Sequence, residues 1–179
     1  MYQSTAPIAP SAAVSFLLSP DVVLVIDMFR ALGDFEEHYD LSALDRLEDR
    51  LAAIIDPAAA RGLVSDALLL GFALRTERST TWAMHAAGSR RATPHEYRLL
   101  GLVAACMHGD RALAADALRG LGVAGNHTIL ALAGEVAQRL SVAGVELDPP
   151  DARLMAEEEG DILALGPIET LARRYGAGD

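Results

Sequence analysis

Apolar residues recur along this chain every third or fourth position rather than every second, which is the period of helices and not of strands. After Ser19-Pro20-Asp21, a cap, a proline and an acid suited to a helix start, Val22, Val25, Ile26, Phe29 and Leu32 form one stripe. Gly33 is expected to stop that helix. Leu44, Leu47, Leu51 and Ile54 form the next stripe, with Asp45, Arg46, Asp49 and Arg50 off it, and predict a helix from about Leu41 to Ile55. Asp56-Pro57 opens a third helix, expected to reach Leu74 with a bend near Gly62 or Ser65.

Thr93-Pro94-His95-Glu96 combines a threonine cap, a proline and a glutamate three residues on, and is the clearest helix start in the chain. Leu99, Leu100, Leu102, Val103, Cys106 and Met107 follow, and Gly109-Asp110 separates this helix from a partner carrying Ala114, Ala117, Leu118 and Leu121. The two read as an antiparallel helical hairpin. Asn126 is the expected cap of a helix over 127–142. Pro149-Pro150 and Pro167 are the expected starts of two more helices, ending near Glu159 and Gly176. No segment alternates with period two between hairpin turns. The expected fold is an all-α, single-domain bundle over residues 1–179, of roughly eight helices joined by Gly-Asp, Asp-Pro and Thr-Pro turns, with flexible ends at 1–10 and 176–179.

Composition sharpens this picture. All 15 basic residues are arginine, so no lysine is present for a Schiff base or a phosphate-binding P-loop. The net charge of −10 opposes binding to nucleic acid or to an anionic membrane surface. Aromatic residues are only 5% of the chain while apolar residues are 51%, so alanine, leucine and valine must build the core, and the apolar surplus points to a homo-oligomer interface, with a homodimer expected. The single cysteine, Cys106, excludes an internal disulfide framework. Residues 1–20 lack the basic start of a signal peptide, and Pro7 and Pro10 interrupt them; a cytoplasmic, bacterial-type protein is expected.

Several segments suggest chemistry. Val23–Met28 resembles the strand-plus-aspartate opening of isochorismatase-like hydrolases, a resemblance that implies a parallel sheet, a lysine and a nucleophilic cysteine. The chain has no lysine and no other convincing strand, and the segment reads as a buried helix with Asp27 at its edge. Glu135–Val142 looks like the first half of a helix-turn-helix, but Gly144, Glu146, Asp148, Pro149 and Pro150 stand where a recognition helix would be, and no nucleic-acid partner is expected. The acidic stretches 34–40 and 157–161 lack the spacings of di-iron or calcium sites and read as solvated loops; no metal and no cofactor are expected.

Positive charge gathers in one place. Arg75, Arg78, Arg90, Arg91 and Arg98 flank Trp82 and His85, opposed only by Glu77 and Glu96. Guanidinium forks bind carboxylate and phosphate, so these seven residues are the candidate site for an acidic protein or a phosphate-bearing ligand. Cys106 reads as a small core residue, and His108 as a helix-terminal cap. The expected function is a non-catalytic interaction or regulatory module. The alternative is a small-molecule binder or enzyme with a pocket near Trp82–Arg98 or at Cys106/His108.

Overall fold

Cap chemistry sets the helix boundaries. The computed structural model describes residues 16–38, 41–78, 82–124 and 127–149. Among these it forms six helices: α1 (Pro20–His38), α2 (Leu41–Ala52), α3 (Pro57–Glu77), α4 (Pro94–His108), α5 (Arg111–Gly120) and α6 (His127–Val142). The Asp56 carboxylate accepts from the amides of Ala58 and Ala59 at 2.9 and 3.1 Å, with Pro57 in the first turn of α3. Thr93 and Glu96 form a reciprocal capping box at α4. Gly109 ends α4 in the left-handed conformation (φ 69°), where a side chain would be strained, and Asp110 caps α5 through the Leu113 amide at 3.0 Å.

The all-α expectation holds, and six of the roughly eight expected helices are present; the other two fall outside the described residues, as do Asn126 and both terminal tails. Three boundaries differ. α1 runs through Gly33 to His38, so residues 34–38 belong to a helix and not to an acidic loop. Gly33 keeps an ordinary helical φ, and its cost of about 1 kcal/mol is small beside burial of the Met28–Leu32 stripe. α2 stops at Ala52, because the residue before Pro57 must be extended (Asp56 ψ 133°) and the chain unwinds to reach it; Ile54 is left exposed. α3 continues past Leu74 to Glu77. A Cβ at Gly62 would meet the Arg139 guanidinium at 2.5 Å, so this glycine leaves room for the Arg139 side chain that pairs with Asp66.

A short sheet was not expected. β1 (Phe16–Leu17) and β2 (Arg91–Ala92) pair antiparallel, Phe16 opposite Ala92, while the Leu18 amide donates to the Arg90 carbonyl at 2.8 Å. Two residues per strand give too little sequence for a period-two signal to appear. The pair ties the start of α1 to the segment before α4.

α4 is the central element. Leu99 through Ala105 are all buried, and α4 packs against α5, α6 and α1. A helix that is apolar on every side has to be surrounded. α3 lies against α6, α2 and α1, with Leu63, Val64, Ala67, Leu70 and Leu74 in the core. By length and composition α3 is the one described helix able to cross a membrane; 33% of its apolar window is buried in the core, while Leu69 and Phe72 remain exposed.

Candidate ligand-binding site

α1 brings charge into the core. Asp27 and Arg30 stand one turn apart on its buried face, 0% and 2% exposed, and Glu96 from α4 is 1% exposed. The Arg30 guanidinium donates to Glu96 Oε1 at 2.7 Å, Asp27 Oδ1 at 3.1 Å, and the carbonyls of Ser89 (2.8 Å) and Arg91 (2.7 Å). Asp27 also accepts from the Gly88 amide at 2.9 Å and from half-exposed Arg50 at 2.8 Å. Glu96 accepts from the His85 amide at 2.9 Å and the Thr93 amide at 2.7 Å. Two carboxylates thus face two guanidinia, and every buried charge has partners. Burial opposes the Arg30 charge, but the hydrogen bonds and charges of Glu96 and Asp27 outweigh it and hold the pKa above its ordinary value.

This cluster fixes the segment between α3 and α4. The His85 and Gly88 amides and the Ser89 and Arg91 carbonyls all end on it. Residues 82–92 are therefore held as a wall of the site despite lacking helical structure. Asp27 lies at the centre of this anchoring, not at the edge of a helix as its sequence context suggests.

Between that wall, α1 and α3 lies a cleft of about 510 Å³. Its apolar lining includes Phe29, Leu32, Leu68, Phe72, Leu74, Met84 and Leu99, and its polar lining is Arg30, Arg75, Arg78, Trp82 and His85. No Asp or Glu is among the described lining residues, although the chain carries a charge of −10. Trp82 is held by a hydrogen bond from Nε1 to the Leu121 carbonyl at 3.1 Å, by the Arg78 guanidinium 5.1 Å from its ring centre, and by the His95 ring stacked at 6.0 Å. Burial, then the charges of Arg98 and Arg78, push the His95 pKa below its usual value.

Four of the seven candidate residues, Arg75, Arg78, Trp82 and His85, therefore line one cleft. The other three lie elsewhere. Arg90 donates to the Leu18 carbonyl at 3.3 Å, Arg91 is exposed on β2, and Arg98 reaches across to the Gly120 carbonyl at 2.7 Å. Arg98 lies directly over Gly120, where any Cβ would collide with it, so it joins α4 to α5. The sequence reading missed Asp27 and Arg30. Their signal was an opposite-charge pair three residues apart inside an apolar stripe, where neither charge belongs without a partner.

A second groove of about 920 Å³ runs beside α4, α5 and α6, lined by Ala114, Leu118, Val123, Leu130, Cys106 and His127 among others. Cys106 is half-buried rather than a full core residue, and burial pushes its thiol pKa up, away from the reactive thiolate. His108 is not part of this lining. Its Nε2 meets the Leu147 carbonyl at 2.8 Å, which tethers the chain after α6 to the end of α4. The Cys106/His108 pair therefore does not converge on one pocket. Among the described residues no group of three or more His, Cys, Asp or Glu side chains is placed to hold a metal ion. No protein-family model, curated protein or solved structure matches the chain.

Proposed function

We propose that the protein binds a small amphipathic anion, an apolar body carrying a carboxylate or phosphate, in the cleft between α1, α3 and the 82–92 wall. One observation carries this reading: an acidic chain lines a ligand-sized cleft with three arginines and no described carboxylate. Arg30 is neutralised by Asp27 and Glu96, so Arg78, at the end of α3, is the guanidinium placed to meet a ligand's charge. The surrounding leucines and phenylalanines favour an apolar body over a bare inorganic anion. Nothing in the described lining supplies a nucleophile with an activating base, so the reading is binding rather than catalysis.

Calorimetric titration with phenylacetate and its uncharged counterpart 2-phenylethanol tests it. The acid is expected to bind more tightly, and Arg78→Gln should weaken the acid about fivefold, the equivalent of about 1 kcal/mol, while leaving the alcohol unchanged. Equal affinity for acid and alcohol would sink the anion reading.

Self-association is a second reading, supported by Leu69 at 53% and Phe72 at 45% exposure on one face of α3. Sedimentation velocity of the wild type and Leu69→Asp checks it: a dimer reduced by the substitution is expected, and a monomer at every concentration would contradict it.

A further inference from the structure

α5 and α6 both pack on α4 but scarcely on each other, and the groove of about 920 Å³ occupies the gap between them. Ala114, Ala115 and Leu118 line one wall, and Leu130, Ala131 and Gly134 line the other. Each set lies on one face of its helix. With alanine or glycine at four of the six positions, a third element can approach both helices closely. Ala115 and Ala131 are exposed, so no described part of the chain covers them. The lining runs from Arg111 to Arg119 on α5 and from His127 to Gly134 on α6, roughly 11 Å along each wall. That length suits a helix of about two turns laid between two others.

The chain's own sequence carries an element of that size. After Pro167, Ile168, Leu171, Ala172 and Tyr175 recur at the spacing of one helix face, with Glu169, Thr170, Arg173 and Arg174 off it. A helix over 167–175 would be about 13 Å long, and its apolar stripe needs a surface to bury it. The chain also leaves the bundle beside the groove. After α6, the Leu147 amide donates to Met107 Sδ at 3.5 Å and the Leu147 carbonyl meets His108 Nε2 at 2.8 Å. The residues that follow on that side of α4, Gly109, Asp110 and Arg111, are groove lining. From there residues 150–166 can span roughly 50 Å, several times the groove's length. Glu157, Glu158, Glu159 and Asp161 in that stretch suit the exposed Arg111 on the α5 rim. We propose that residues 167–175 dock as a short helix in the α4–α5–α6 groove of the same molecule. Tethering sets an effective concentration of about a millimolar, so a contact too weak to hold a separate peptide suffices. Docking covers Cys106, which lines the groove and is half-buried.

The test is the rate at which iodoacetamide alkylates Cys106, the only cysteine, in the folded full-length chain. Leu171→Asp puts a charge on the apolar stripe and should raise the rate about fivefold over the wild type, as expected for a helix docked about 80% of the time. Thr170→Asp, off the stripe, should leave the rate unchanged. Both positions lie outside the six described helices, so neither substitution touches the bundle's packing. A synthetic peptide of residues 163–179, added in excess to Leu171→Asp, should restore the slow rate. Equal rates for the wild type and Leu171→Asp, or the same acceleration by Thr170→Asp, overturn the proposal. A wild-type rate that falls as protein concentration rises assigns the groove to a second copy and overturns it as well.

Discussion

Replacing Arg30 with methionine tests the buried cluster that holds the cleft wall. The side chain is 1% exposed and makes four hydrogen bonds between 2.7 and 3.1 Å, two of them to carboxylates. In Arg30→Met, Asp27 keeps Arg50 and the Gly88 amide, and Glu96 keeps only the His85 and Thr93 amides. One buried carboxylate is then left without a counter-charge. Breaking such a pair costs about 3–5 kcal/mol, against a total stability of about 5–15 kcal/mol for a domain. The carbonyls of Ser89 and Arg91 add little, since those residues are half-buried and exposed and can turn to water. Urea unfolding followed by far-ultraviolet circular dichroism should show an unfolding free energy lowered by that amount. The double variant Arg30→Met/Glu96→Gln should lose less than the sum of the single losses, because the second change removes the charge that the first left stranded. A loss below about 1 kcal/mol for Arg30→Met, or strict additivity, would refute the claim that these charges depend on one another.

Three further outcomes are expected. Thr93→Ala should lower stability by about 1–2 kcal/mol in the same urea assay, since the hydroxyl both accepts from the Glu96 amide at 3.2 Å and donates to the Ala83 carbonyl at 2.8 Å. His95 has a pKa below its unfolded value of 6.5, so the folded state binds its proton less readily than the unfolded chain does. Its contribution is therefore intact above that value and is lost as pH falls below it; between pH 7.5 and 5.5 the wild type should lose more stability than His95→Asn. Cys106, with its thiol pKa raised by burial, should react with a disulfide reagent at pH 8 more slowly than a free cysteine peptide, and unfolding in urea should remove the difference.

Helix-forming signals were legible because they are local. Asp56-Pro57, Thr93-Pro94 with Glu96, and Gly109-Asp110 act within four residues, and each marks a boundary that the structure contains. The ends of α1 and α2 were not legible, since they depend on whether burial outweighs Gly33 and on how the chain must enter Pro57. The cleft was legible only in part. Arg75, Arg78, Trp82 and His85 lie within eleven residues of one another and stood out as a run. Which arginines of that run share a cleft depends on side-chain direction and on contacts such as Arg98 with Gly120, 22 residues apart. The Asp27–Arg30–Glu96 cluster joins residues up to 69 positions apart, as from Asp27 to Glu96; the Asp27/Arg30 pair inside an apolar stripe signals that a partner exists, but nothing local points to Glu96.

Trp82, the only tryptophan, offers the most direct test of the cleft as a binding site. Its single indole N–H signal in a nitrogen-15 correlation spectrum, hydrogen-bonded to the Leu121 carbonyl, can be followed as phenylacetate is added. The anion-binding account predicts saturable shifts of that signal together with the amides of Gly33, Gly71, His85 and Ala86, and their loss of response in Arg78→Gln. Shifts confined to Ala114, Ala131 and Gly134 beside the second groove, or no saturable shift at Trp82, would contradict it.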